Sequence, residues 1–577
     1  MIKIYFTFLC FLSFAQVLSQ DFTTPFERSK GTETATYEEG IEFYQKLASH
    51  YPEIKIFEYG TTDIGKPLHL VVFSEDKDFN PTSLKAKNKT IFLVINAIHP
   101  GEPDGVDASM MLLRDIVQND KLKKMCKNTV LAIIPFYNVD GVLNRNSYSR
   151  ANQNGPKSYG FRANAKNLDL NRDFIKMDSE NAKTFVQIFQ TWQPDVQIDN
   201  HVTNGADYQY TMTYIFANPA LYAPDMQSYF LKEFKPDMLN LMKKKGEEMS
   251  PYVELRKNIP DSGLVQNVRS PRFSHIYATQ FHTLAMVAET HMLKPFDKRV
   301  QATYKMMMSI LEILEKEGIK IQRNRKKAFE YFQKQENMIL DWKINEQKPT
   351  FIDFKGYEAE FVTSKITGLP RLKYNSQKPY TKKIPYYDTH EPKLVIRKPK
   401  MYIIPKTYAN IAKMLEMNGV LITKFTKKET FKGFYYYIKE FKTPQKPYEG
   451  HYFHYDIEVE KKADAYTIEE GDFIVMTNQP HINFIMNVLE PQAPDSYFAW
   501  NFFDTILQQK EGFSDYVFEE IAEKLLAENP TLRAEFEAKK RSDTEFAQSA
   551  YKQLDFIYKN SPYYEKHHQR YPIFRVE

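Results

Sequence analysis

The sequence predicts an α/β protein: a parallel or mixed sheet covered by helices on both faces, followed by a smaller β-rich region and carboxyl-terminal helices. Three observations carry this. Short, nearly unbroken apolar runs occur at 91–98, 130–136, 196–198 and 284–288. Segments of helical period lie between them, at 107–117 and 181–192. Strands buried on both faces read as continuous apolar runs because neither face meets water, and their alternation with helices builds a layered sheet. Beyond about residue 349 the texture turns to Lys-, Pro- and Tyr-rich alternation, the pattern of half-exposed strands.

The elements follow in order. Lys3, an apolar stretch at 4–17 and Val17-Leu18-Ser19 read as an export signal over 1–19, cleaved before Gln20. The stretch is short for a membrane anchor, and no later segment has the ~20 apolar residues of a span. Cleavage removes Cys10 and leaves Cys126 alone, so no intramolecular disulfide can form. Ile41, Tyr44, Leu47 and Ala48 give a helix over 37–50, before strands at 53–59 and 68–73 that flank a turn at Asp63-Ile64-Gly65-Lys66. A helix over 299–316 buries Met306, Met307, Ile310, Leu311 and Ile313; after Gly318 come a basic stretch at 323–327 and a further helix to about 334. The chain is therefore divided into a signal at 1–19, a main α/β domain at 20–335, a linker at 336–348, a β-rich accessory domain at 349–495 and a helical region at 496–577. Within the accessory domain a helix is expected at 408–418, with strands at 420–425, 433–441, 450–459 and 473–476.

Composition narrows the function. With 42% hydrophobic and 26% charged residues the chain is globular, and 15% aromatics can fill large cores. A net charge of +5 over 577 residues, with no dense basic run, gives no reason to expect a nucleic-acid partner.

The chemistry collects where the buried strands end. The first run leads into His99-Pro100-Gly101-Glu102, the second into Asn138-Val139-Asp140-Gly141, the third into Asp199-Asn200-His201 and the fourth into Glu289. Ligands of open α/β sheets bind outside the carboxyl ends of strands. An imidazole and a carboxylate three residues apart in a glycine-containing turn can converge on one zinc ion, and His201 supplies a third donor while leaving room for water. His-x-x-Glu alone is more often two surface residues, and His201 alone a hydrogen-bonded buried histidine; their shared strand-end placement is what points to a metal. Zinc makes water more acidic and polarises a carbonyl. A carboxylate must then move the proton, and Glu289 fits that role, although it could instead pair with Arg299 or Lys294. The stretch 162–174 concentrates Arg162, Asn164, Asn167, Asn171 and Arg172, which could grip a carboxylate or an oxyanion, or form a solvated basic loop.

Over about 37–316 these motifs, in this order, resemble the zinc metallocarboxypeptidases of the carboxypeptidase A type. The resemblance implies a mixed, mostly parallel eight-stranded sheet and one zinc ion per chain held by His99, Glu102 and His201. It implies Glu289 as general base, Arg162 at the scissile carbonyl, Asn171 and Arg172 on the substrate's terminal carboxylate, and Asp169 orienting His99. The family's substrate-capping tyrosine falls nearest to Tyr277. Val139 replaces a proline frequent in the family, and the base of the side-chain pocket is not assigned. The expected activity is release of C-terminal residues from peptides by an exported enzyme, periplasmic or extracellular. Hydrolysis of cell-wall peptides or another amide by the same site is an alternative, as is a non-catalytic binding protein on a peptidase fold.

Overall fold

A computed structural model describes residues 21–203 and 205–577; the expected signal at 1–19 lies outside the described residues. The strands of the first half are β1 (Ile54–Tyr59), β2 (Leu68–Phe73), β3 (Thr90–Ile95), β4 (Thr129–Ile134), β5 (Val196–Thr203), β6 (Met212–Phe216), β7 (Met249–Pro251), β8 (Leu264–Val265) and β9 (Leu284–His291). All but β8 form one eight-stranded sheet in the order β1-β2-β4-β3-β5-β9-β6-β7. The inner strands β4, β3, β5 and β9 run parallel, while β2 and β6 join them antiparallel, so the sheet is mixed as expected. Every residue of β2, β3, β4 and β5 is buried, which is why those runs lack alternation.

Helices α1 (Tyr37–His50), α2 (Asp104–Gln118), α3 (Glu180–Trp192), α4 (Ser274–Thr279) and α5 (Phe296–Lys334) cover the sheet. Thr36 and Glu39 close a capping box at the start of α1, and the Ser179 side chain accepts from the Ala182 amide at the start of α3. The expected break at Gly318 does not occur; α5 is continuous through it. There α5 passes β3 so closely that a Cβ on Gly318 would lie 2.4 Å from Thr90 Oγ1. The glycine therefore serves close packing rather than a turn.

The second half is stitched to the first. Residues 336–348, expected as a linker, contain β10 (Asn337–Ile344). Its backbone groups find ladder partners in β13 (His390–Arg397), which a composition reading could not foresee. Between them, β11 (Thr350–Thr363) and β12 (Pro370–Tyr387) form a long hairpin, and the end of β12 pairs with β8. A second sheet contains β14 (Met401–Ile404), β15 (Thr423–Lys424), β16 (Glu429–Lys442), β17 (Tyr455–Ile468) and β18 (Phe473–Met476). The region expected to be purely helical at 496–577 ends in β19 (Phe574–Val576), which inserts between β14 and β16. One apolar cluster runs from Phe22 to Ile573 and includes Phe189, Tyr277, Phe484 and Trp500. Arg272 and the fully buried Asp495 add a salt bridge of 2.8 Å between the halves. Among the described residues no helix is long and apolar enough to cross a membrane.

Candidate active site

His99 and Glu102 sit in the turn after β3, which the Glu102 amide closes by donating to the His99 carbonyl over 2.8 Å. His201 and Glu289 do not follow their strands, as expected, but lie inside β5 and β9 in direct register with each other. The strands continue through these polar residues because the ladder satisfies their backbone, while their side chains find partners at the site.

His99, Glu102 and His201 are all buried, and one donor atom from each lies within 4.8 Å of the others. His99 Nε2 faces Asp169 Oδ1 at 2.9 Å, whereas its buried Nδ1 makes no hydrogen bond among the described residues and faces Glu102 Oε1 at 3.4 Å. His201 shows the same division: Nε2 faces Asp199 Oδ2 at 2.9 Å and Nδ1 faces Glu102 Oε2 at 3.0 Å. Each imidazole is thus held through Nε2 by a carboxylate and turns Nδ1 inward, the arrangement that orients metal-bound histidines. Two imidazoles and a carboxylate are a donor set suited to zinc. Burial works against charge on Glu102, yet Arg150, His99 and His201 hold its carboxyl well below the usual range. Burial likewise opposes charging His201, but Asp199 and Glu102 push its imidazole well above the usual range. The pocket therefore favours positive charge, as a cation site must.

Glu289 behaves oppositely. Burial, and then repulsion from Glu102, push its carboxyl up to about 7, against the pull of His201, Arg269 and His99. A carboxylate poised near neutrality suits proton transfer.

The 162–174 stretch folds around Asp169. Arg162 donates through Nε and Nη2 to Asp169 Oδ2 at 3.1 and 2.8 Å, while Asp169 Oδ1 serves His99. Asn138 anchors this arrangement: its side-chain amide donates to the Arg162 carbonyl at 3.0 Å and its oxygen accepts from the Gly141 amide at 2.9 Å. Gly141 is required there, since a Cβ would lie 2.4 Å from the Phe161 carbonyl oxygen. Asn171 Nδ2 approaches His201 Nε2 at 3.4 Å. Arg172 donates to the Asn171 carbonyl at 2.7 Å and lies 4.4 Å over the Phe273 ring.

A cleft of about 190 Å³ joins His99, Glu102, Arg162, Asn171, Arg172, His201 and Glu289. A larger cavity of about 1150 Å³, beside Lys176 and Met414, contains none of them. Tyr277 is not in the cleft. It is fully buried, packs on Phe174, Phe189 and Phe281, and donates to Asn418 Oδ1 at 2.7 Å. It stands on α4, whose side chains are all buried, so it cannot cap a substrate without unpacking the core. Among the described residues, Tyr252 is the tyrosine that lines the cleft.

Sequence reasoning also missed several partners. Arg150 donates to Glu102 Oε1 at 2.7 Å, and Asp199, noted only as a neighbour, holds His201. Tyr448 and Glu449 arrive from the accessory region: Arg172 Nε donates to Tyr448 Oη at 3.0 Å, and the Asp169 amide donates to Glu449 Oε2 at 2.7 Å. Asp199 was within reach, because it lies two residues before His201 on the same face of a strand. The others carry no local signal.

A covered mixed sheet thus carries a buried His-Glu-His cluster that could hold a metal ion. Residues 41–211 match the family model described as zinc carboxypeptidase, a span that holds every proposed site residue except Glu289 and Tyr277. Carboxypeptidase 2 of Trichophyton rubrum is 22% identical over 493 residues, covering 81% of this chain and 84% of its own. Carboxypeptidase 2 of Trichophyton tonsurans is 21% identical over 422 residues, covering 69% and 71%. A metallo-carboxypeptidase from Pseudomonas aeruginosa, solved in complex with (2-guanidinoethylmercapto)succinic acid, aligns over 50% of this chain and 70% of its own with 16% identity and a TM-score of 0.37. Residues 41–211 are thus similar to zinc carboxypeptidases, and the curated relatives extend a likeness to carboxypeptidases over most of the chain.

Proposed function

We propose that this protein is a zinc-dependent exopeptidase that removes C-terminal residues from peptides, with Glu289 as general base. The observation that carries the reading is the convergence of His99, Glu102 and His201 within 4.8 Å, with the Nδ1 atoms of both imidazoles turned toward Glu102 and Glu289 in register with His201. A zinc ion held by these three residues would supply Lewis-acid polarisation and a more acidic water. The remaining work falls to the chain. Arg172 and Asn171 bind the terminal carboxylate, and the planar guanidinium fork gives that contact its geometry. Arg162 stabilises charge developing on the scissile carbonyl oxygen. Glu289 accepts the proton of the attacking water and returns it to the leaving nitrogen, which a carboxyl near neutrality can do in both directions. Asp169 keeps His99 oriented and ties it to Arg162, so one carboxylate couples the metal site to the carbonyl site. Export to the periplasm or medium is part of the same proposal and rests on the amino-terminal apolar segment alone.

The test is a peptide mixture with free or amidated C termini, incubated with purified protein and read by mass spectrometry. Loss of single terminal residues from free-carboxylate peptides, abolished by chelator and restored by zinc, is the expected result. Equal cleavage of amidated peptides, or indifference to chelator, would overturn it.

A further inference from the structure

Arg172 and Asn171 place the terminal carboxylate, and Arg162 and the metal ligands place the scissile carbonyl, so the terminal side chain must face the remaining wall of the cleft. That wall is Ile215, Tyr252, Arg269, Phe273, His275 and Val287. Ile215 and Val287 are register partners on β6 and β9, an apolar floor two residues before Glu289. The polar groups above this floor have unused capacity. Among the described residues, the one carboxylate within 4 Å of the Arg269 guanidinium is Glu254, at a marginal 3.5 Å. A guanidinium carries five donors, so most of its bonding is open. It stands 5.3 Å from the centre of the Phe273 ring, the ring that Arg172 approaches at 4.4 Å. One aromatic side chain therefore brings two cations into the cleft. The first is already assigned to the α-carboxylate, leaving the second for another anion.

His275 gives an independent pointer. Its side chain is 97% buried, since only 3% of its surface is exposed, and it lines the same cleft. Its Nε2 has no hydrogen-bond partner among the described residues. A buried polar atom without a partner is costly, and a ligand group can satisfy it. Arg269 lies near enough to add to burial in holding this imidazole well below its usual range, so a neutral ring and a full cation share the subsite.

We propose that Arg269 and His275 form a subsite for a carboxylate side chain, making the enzyme selective for peptides that end in glutamate or aspartate. Terminal Lys or Arg is repelled by Arg269, and an apolar terminal residue leaves both polar groups without a partner. The inference deepens the exopeptidase reading above and rests on it for the placement of the terminal residue.

The test measures kcat/KM on peptides identical except for a terminal Glu, Gln, Leu or Lys. The expected preference for Glu over Gln is about 30-fold, the scale of a charge-assisted contact. Arg269→Gln should lower kcat/KM on the Glu-terminated substrate about 30-fold more than on the Gln-terminated one, and Arg269→Lys, which keeps the charge, should restore part of that difference. A wild-type preference for Leu or Lys, or an equal loss on Glu and Gln substrates in Arg269→Gln, overturns the proposal. Calorimetry with N-acetyl-glutamate and N-acetyl-glutamine gives a readout independent of turnover. Tighter glutamate binding that Arg269→Gln abolishes supports the subsite even where no peptide is cleaved, in which case only the exopeptidase reading fails; equal binding of the two overturns the subsite.

Discussion

Replacing Tyr448 by Phe tests whether the accessory region takes part in substrate binding. The change removes one oxygen and leaves the ring, which stacks on Trp500 with centroids 6.1 Å apart and planes 17° from parallel. What is lost is the 3.0 Å hydrogen bond from Arg172 Nε. A bond from a charged donor contributes roughly 1.5–3 kcal/mol when buried. Tyr448 is 36% exposed, so water replaces part of that and about 1 kcal/mol is a better figure. Arg172 keeps its 2.7 Å contact with the Asn171 carbonyl and its place over Phe273, so it is loosened rather than freed. With 1.4 kcal/mol per tenfold, KM for a free-carboxylate peptide should rise about fivefold. Because the terminal carboxylate is held equally in the ground and transition states, kcat should stay within about twofold. Steady-state kinetics with thermal unfolding as control decide it. An unchanged KM, or a kcat that falls by the same factor, would show that Tyr448 does not act through the carboxylate contact.

Three further perturbations follow from the site and its supports. Glu289→Gln should reduce turnover by at least about 100-fold while zinc, measured by metal analysis, stays at one equivalent; normal turnover would remove Glu289 from the mechanism. In the wild type, Glu289 must be ionised to accept a proton, so activity falls as pH drops through its pKa of about 7, or lower once a cation is bound nearby. A pH profile of kcat/KM with an acid limb above pH 8 contradicts this. Asp169→Asn should weaken zinc affinity about 10- to 100-fold in a chelator competition, since the carboxylate orienting His99 is lost. Asp495→Ala leaves the Arg272 guanidinium without its 2.8 Å partner in a largely buried position, and a urea titration should show a loss of about 3 kcal/mol. No change there would mean that this ion pair adds nothing to holding the two halves together.

Much of the architecture was legible because local pattern encodes it. Fully buried strands must read as unbroken apolar runs, and the runs at 91–98 and 130–136 became β3 and β4. The His-Glu-His cluster was legible for a related reason: reactive residues gather just past the buried apolar runs, so His99, Glu102, His201 and Glu289 stood out at the run ends. Where pattern misled, one signal had two meanings. Gly318 read as a break because glycine weakens helices, yet it marks contact with Thr90. The residues at 336–348 read as a linker because strand pairing depends on a partner some 50 residues away.

By itself, then, the sequence determined what depends on neighbours along the chain: the α/β layering, the His99–Glu102 turn, and the Asp169-to-Arg172 cluster. The tertiary structure decided what depends on elements meeting. Tyr277 is a core residue because α4 faces Phe174, Phe189 and Phe281, and Arg172 is tethered by a tyrosine 276 positions away. Side-chain periodicity reports which face of an element is buried, but not which distant surface buries it, and that distinction separates the residues found from those missed.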